Sequence, residues 1–188
     1  MRNIFFTILL CTASLAAQAQ RLAVKTNLLY DATATANLGF EVALSPKFTL
    51  DISGNYNGWN VVDDKQWQHL LVQPELRYWT CDHFNGHFFG LHALGGQHNF
   101  DKVELPFGLY PSLAEYNFRG NFVGGGLSYG YQWILGKRWN LEVSIGVGYL
   151  HISYDKYADS NSEIKLDSDT ESYIGPTKIG ISIAYMIF

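Results

Sequence analysis

The chain has 188 residues, a formal charge of −4, 16% charged residues and 15% aromatics. That acidic balance gives nucleic-acid binding no support. Beyond residue 19 there is no run of about 18 uninterrupted apolar positions, so a helical membrane span is excluded there.

Met1-Arg2-Asn3 is a short positive start, residues 4–10 are apolar, and Ala17-Gln18-Ala19 has the small-x-small form of a cleavage site. Residues 1–19 are therefore expected to be a secretory signal peptide, and residues 20–188 one outer-membrane β-barrel domain. Losing Arg2 with the signal takes the formal charge from −4 to −5. Cys11 leaves as well, so Cys81 has no intrachain partner. A lipoprotein reading at Cys11 meets Leu10 where a small residue is wanted.

Residues 22–30 alternate, with Leu22, Val24, Thr26, Leu28 and Tyr30 on one face and Lys25 and Asn27 on the other. This predicts a first strand. A second follows over residues 37–44, where Leu38, Phe40, Val42 and Leu44 alternate with Asn37, Gly39, Glu41 and Ala43. Ser45-Pro46-Lys47 is a tight turn. The third strand sets Phe48, Leu50, Ile52 and Tyr56 against Thr49, Asp51, Ser53 and Asn55. A polar loop spans residues 57–68. In the fourth, Leu70, Val72, Pro74, Leu76 and Tyr78 oppose Leu71, Gln73, Glu75 and Arg77. Pro74 predicts a bulge, because a closed barrel has no free edge.

Residues 80–86 form a short turn. The fifth strand, residues 87–95, is less regular, since Phe88 and Leu94 interrupt its alternation. A long loop is expected over residues 96–117. The sixth strand sets Val123, Leu127, Tyr129, Tyr131 and Trp133 against glycines, Ser128 and Gln132. After a turn at residues 135–138, the seventh sets Trp139, Leu141, Val143, Ile145, Val147 and Tyr149 against Asn140, Glu142, Ser144, Gly146 and Gly148. A polar loop at residues 155–172 leads to the eighth, where Ile179, Ile181, Ile183, Tyr185 and Ile187 alternate with Gly180, Ser182 and Ala184.

The expected fold is all-β: an eight-stranded antiparallel up-and-down transmembrane β-barrel after a cleaved signal peptide, located in the cell outer membrane. Short turns alternate with mostly longer connections, the asymmetry of such barrels. Phe48, Tyr78, Phe89, Trp133, Trp139 and Tyr185 share the apolar parity near the short-turn end. They are the expected aromatic girdle against outer-membrane lipid. The opposite face carries Lys25, Glu41, Asp51, Glu75, Arg77 and Glu142. In so narrow a barrel, side chains fill the interior. Lys25 and Arg77 are expected to pair there with some of Glu41, Glu75 and Glu142. A soluble periplasmic lipocalin-like carrier, apolar inside and polar outside, is the competing barrel.

Lys178, Gly180, Ile183 and Tyr185 resemble the C-terminal assembly signal of bacterial outer-membrane barrels, placed three residues in from the chain end. That resemblance implies the barrel assembly machinery as a partner. Lys25-Thr26-Asn27-Leu28-Leu29-Tyr30-Asp31, Asn37-Leu38-Gly39-Phe40-Glu41, Gln73-Pro74-Glu75-Leu76-Arg77-Tyr78-Trp79 and the glycine-rich residues 124–131 resemble an uncharacterised family of Bacteroidota outer-membrane barrels, a domain of unknown function. The resemblance implies a small exported barrel of OmpA-like architecture, and brings no substrate or catalytic residue with it.

His151-Ile152-Ser153 has the His-x-Ser spacing of the lipid A deacylases, with Glu163 downstream. A Ser-His-Glu set would supply nucleophile, base and orienter. The surrounding residues do not resemble the deacylase motif, and the favoured reading is non-enzymatic. His83, His87 and His92 stand four and five apart. In a turn and a strand that spacing turns them to different sides, so no metal is expected, and no cofactor. Within residues 96–117, Leu105, Phe107, Leu109 and Tyr110 are apolar for a surface loop. They form a candidate contact for a surface protein partner.

Overall fold

The computed structural model describes residues 22–62, 65–101, 117–157 and 165–187. The expected signal peptide, the candidate loop residues Leu105, Phe107, Leu109 and Tyr110, and Glu163 lie outside them. The elements are β1 (Leu22–Asn27), α1 (Leu28–Ala32), β2 (Ala36–Ser45), β3 (Phe48–Asn57), β4 (Asn60–Val62), β5 (Lys65–Trp79), β6 (Gly86–Asp101), β7 (Asn117–Ile134), β8 (Trp139–Tyr157) and β9 (Lys165–Ile187).

Setting aside short β4, which pairs only with the start of β5, eight strands form one antiparallel up-and-down ring. β3 pairs with β5, and β9 returns to β1. Paired residues followed around the ring from Leu22 are Val42, Leu50, Leu76, Leu91, Leu127, Val147 and Pro176. Leu22's own partner on β9 is Ile187, eleven residues further along that strand. That offset is the stagger a closed, tilted sheet requires, with strands at roughly 40° to the barrel axis.

Alternation decides which side each residue faces. The large apolar residues Leu38, Phe40, Ile52, Leu76, Leu91, Leu127, Ile145, Val147 and Ile179 all face outward and are exposed. Lys25, Glu41, Asp51, Glu75, Arg77 and Glu142 face inward and are buried. Phe88 and Leu94, irregular in the sequence, point inward and are buried too.

Four expectations are corrected. First, residues 28–30 do not continue β1. Asn27 accepts a hydrogen bond from the Leu29 N–H at 3.1 Å and caps α1 instead. A capping side chain outweighs continued alternation where no further strand partner is present. Second, Pro74 makes no bulge. Its partner on β3 is Ile52, and the β5–β6 register is the same on both sides of it. Third, residues expected in loops extend the strands, since β5 begins at Lys65, β6 reaches Asp101, β7 begins at Asn117, β8 reaches Tyr157 and β9 begins at Lys165. Fourth, a real irregularity lies between Gly146 and Val147, whose partners Lys178 and Pro176 leave Thr177 as an extra residue on β9.

Asn27 also closes the seam where β1 ends. Its side chain donates to the Ile179 carbonyl and accepts from the Ile181 N–H, both at 3.2 Å, standing in for the next strand residue. Thr26 and Asn37 bond Asp31 at 2.9 and 2.7 Å, which ties the start of β2 to the same corner. Asn27→Ala removes a cap and two ladder bonds. It is expected to cost about 1–2 kcal/mol. The check is a lower urea midpoint with an unchanged slope.

The short-turn end is closed from within by Trp79, Phe84, Phe88, Ala23, Ala43 and Met186. Trp79 lies 4.9 Å from Phe88 and 6.2 Å from Phe84, ring centre to ring centre. Its indole N–H donates to Thr49 Oγ1 at 2.9 Å. Phe84 sits in the β5–β6 turn at φ +63°, a region uncommon for a residue with a side chain. Asn140 holds the Phe84 carbonyl at 3.1 Å. Gly130 makes room for this plug, because a Cβ there would lie 2.3 Å from the Phe88 ring.

Candidate functional site: the charged barrel interior

The register sets the problem the interior has to solve. Glu41 pairs with Asp51, and Asp51 with Glu75, so three carboxylates stand side by side on one inner face. Like charges placed directly across strands repel. Glu142 on β8 points into the same space.

Arg77 answers most of that charge. Its Nε donates to Glu75 at 2.7 Å. Nη1 donates to Glu41 at 2.9 Å and Glu142 at 2.8 Å. Nη2 donates to Asp51 at 2.9 Å and to the second Glu142 oxygen at 3.1 Å. A guanidinium has five N–H donors, and all of them are engaged. Its carbon sits 4.3 Å from the centre of the Phe88 ring, so the same side chain joins the charge network to the plug. Lys25 adds contacts to Glu41 at 2.7 Å, Asp51 at 3.1 Å and Glu142 at 3.2 Å. Lys178 binds Glu75, and the Thr49 hydroxyl donates to Glu41.

The structure thus brings Lys25, Glu41, Glu75, Arg77 and Glu142 into one cluster. Asp51 and Lys178 belong to it as well and were not among the expected pairs. Asp51 had the right parity but no visible partner. Lys178 has the inward parity of Gly180 and Ser182, and the extra residue at Thr177 turns Thr177 inward beside it. A bulge commonly re-aims a side chain in this way. Thr177 then meets His92 Nε2 at 2.9 Å.

Above the cluster a polar cavity of about 40 Å³ is lined by residues including Asn27, Asn37, Asp51, Asn55, Gln73 and Lys178. That space suits a few water molecules and not an organic ligand. Among the described residues, no group of three or more His, Cys, Asp or Glu side chains is arranged to hold a metal ion. His87 lies on the outer face, stacked with Tyr129 and bonded to its hydroxyl at 2.6 Å, away from inward His92.

The expected girdle residues sit on the outer wall near the short-turn end. Phe48 pairs with Tyr78, Tyr78 with Phe89, and Phe89 with Tyr129, giving one aromatic row across four strands. Trp139 pairs with Tyr185, with ring centres 4.8 Å apart. Trp133 is tilted against Tyr131, with ring centres 4.6 Å apart. Arg138 donates to the Tyr185 hydroxyl at 2.8 Å.

His151 and Ser153 lie on the outer face of β8, between Val123 and Asn121 of β7 and Ser172 and Thr170 of β9. Among the described residues, no hydrogen bond joins the two or gives either an acidic orienter. The nucleophile–base contact that defines such a pair is not formed.

Compared with curated proteins and with solved structures, the chain matches none. It does match the model of one family, described as "Protein of unknown function (DUF3575)", over residues 5–187. The matched span covers the closed ring, the charged interior and the aromatic row, and the chain belongs to that family.

Proposed function

We propose that the mature chain is a non-enzymatic β-barrel of the bacterial outer membrane, structural or partner-binding through its long-loop end. The observation that carries this reading is the polarity of the wall. Large apolar residues cover the outside, while ionised side chains are shut inside. A soluble carrier barrel needs the opposite arrangement, with an apolar cavity for its ligand. A β-barrel is also one of the two structures that cross a bilayer with every backbone group paired.

The aromatic row around Phe48, Tyr78 and Phe89 marks one membrane interface, with Lys47, Lys137 and Arg138 in the turns just beyond it. This end would face the periplasm, and the assembly machinery would read the terminal strand. A tilted crossing strand needs roughly 9–11 residues. β7, β8 and β9 have 18, 19 and 23 residues, so the long-loop end projects well past the bilayer on that side. That projection is where partners would meet the protein.

Membrane fractionation combined with gel mobility before and after boiling tests the proposal. The mature chain should partition with detergent-extracted membranes and shift mobility on heating. A mature chain fully soluble without detergent would overturn it.

A further inference from the structure

β9 is covered on one edge and open on the other. Along β8 it is paired from Trp139–Tyr185 up to Tyr157–Lys165. On its other side β1 reaches only from Ile187 to Ser182. The Asn27 side chain extends that cover to Ile181 and Ile179. From Lys165 to Pro176 the edge meets no strand among the described residues.

The phase of the backbone along this edge is readable. The Ile181 N–H and Ile179 carbonyl point to the open side. Alternate residues do the same, and the extra residue at Thr177 moves the phase by one. Above it, Pro176, Ile174, Ser172, Thr170 and Ser168 face the open edge. Pro176 fits this phase because it has no N–H to offer. The N–H groups of Ser168 and Thr170 fit it too, since each is held by the carboxylate of the preceding residue, Asp167 at 2.8 Å and Asp169 at 2.7 Å.

Asp167, Asp169 and Glu171 alternate along the strand and are exposed. Their side chains share the face of Tyr154 on β8, whose phenol is pushed up by burial and then by Asp169, Glu171 and Asp167. A bare strand edge is a template for another strand. Here its amides carry removable anionic covers.

We propose that the Lys165–Ile174 edge of β9 docks an extended, basic segment of a partner protein, which adds as a further strand. Lysine or arginine side chains of that segment draw the Asp167 and Asp169 carboxylates off the edge amides, and the freed N–H groups then pair with the incoming backbone. A second copy of this chain is a poor occupant, because edge-to-edge pairing would set the same acids against each other. An anionic lipid headgroup is repelled for the same reason. Between Leu166 and Ile174, which are both exposed, the outward residues Ser168, Thr170 and Ser172 are polar, so this middle stretch of the edge breaks with the apolar wall below. The proposal rests on partner binding at the long-loop end but not on which membrane holds the barrel.

The experiment uses the folded barrel in detergent micelles, with heat-dependent gel mobility as the folding control. The probes are fluorescent peptides of alternating Lys-Thr, of alternating Glu-Thr, and of Lys-Thr with every second backbone nitrogen methylated. Lys-Thr should bind, and both other probes should bind at least about tenfold more weakly. The Asp167→Asn, Asp169→Asn, Glu171→Gln variant should lose a similar factor. Thr170→Pro should lose it with the charge intact. Equal binding of the methylated probe means plain charge attraction and overturns strand addition, even if Thr170→Pro fails to fold. No binding of Lys-Thr to the folded barrel overturns the proposal outright. Because the barrel is already in micelles, neither result bears on its cellular membrane.

Discussion

Replacing Arg77 with alanine is expected to cost about 3–5 kcal/mol, the range for removing one partner from a buried ion pair. For a domain of ordinary stability this leaves little folded barrel. Arg77 touches Glu41, Asp51, Glu75 and Glu142, and its own side chain is fully buried. Without it, Lys25 and Lys178 remain to face four carboxylates brought together by the strand register. The cost is mainly the uncompensated charge left behind, so it does not reduce to the sum of the lost contacts. Arg77→Lys keeps the charge but offers three donors in place of five. It should fall between wild type and Arg77→Ala. Urea unfolding in detergent, followed by tryptophan fluorescence, orders the three. An Arg77→Ala midpoint equal to wild type would show that the cluster contributes nothing to stability.

Leu127→Arg is expected to cost about 2–4 kcal/mol in a bilayer, the depth-dependent penalty for a cation on the lipid face of a barrel near the midplane. Leu127 is 64% exposed and stands between Leu91 and Val147 in the middle of the apolar wall. In water a residue so exposed tolerates this change within about 0.5 kcal/mol. The substitution therefore separates a lipid-facing wall from a wetted one. Ser168→Arg, beyond the belt on β9, is the matched control and should change little. Folding into vesicles, read by unfolding midpoints, checks both. Equal midpoints for Leu127→Arg and wild type would count against a bilayer around this wall.

The strands were readable wherever their two faces meet different surroundings. Leu38 to Leu44 and Trp139 to Tyr149 alternate cleanly because one side is apolar and the other small or charged. The same rule explains the missed strand ends. Residues 155–157 and 165–172 are mostly polar on both faces, so pairing leaves no period-2 hydrophobic signature there. At residues 28–30 the alternation continued but Asn27 capped a helix, a choice that needs knowledge of where β1 loses its neighbour. The shared parity of Lys25, Glu41, Glu75, Arg77 and Glu142 was visible in the sequence. Their partners were not, because register between strands far apart in sequence leaves no local trace. Lys178 shared the inward parity of Gly180 and Ser182 but likewise had no visible partner, and Trp79 lay one position past the expected strand end.

The unequal strand lengths have a further consequence. β1, β2 and β3 have 6, 10 and 10 residues, while β7, β8 and β9 have 18, 19 and 23. The rim is therefore a crescent, high on one side and low on the other. A molecule of this shape has a front and a back. Whatever approaches from the low side meets the inner surface of the tall wall, and whatever approaches from behind meets only its outer surface. Turning about the barrel axis would then change what the protein presents to a neighbour, although a closed ring of eight strands would otherwise look much the same from every direction.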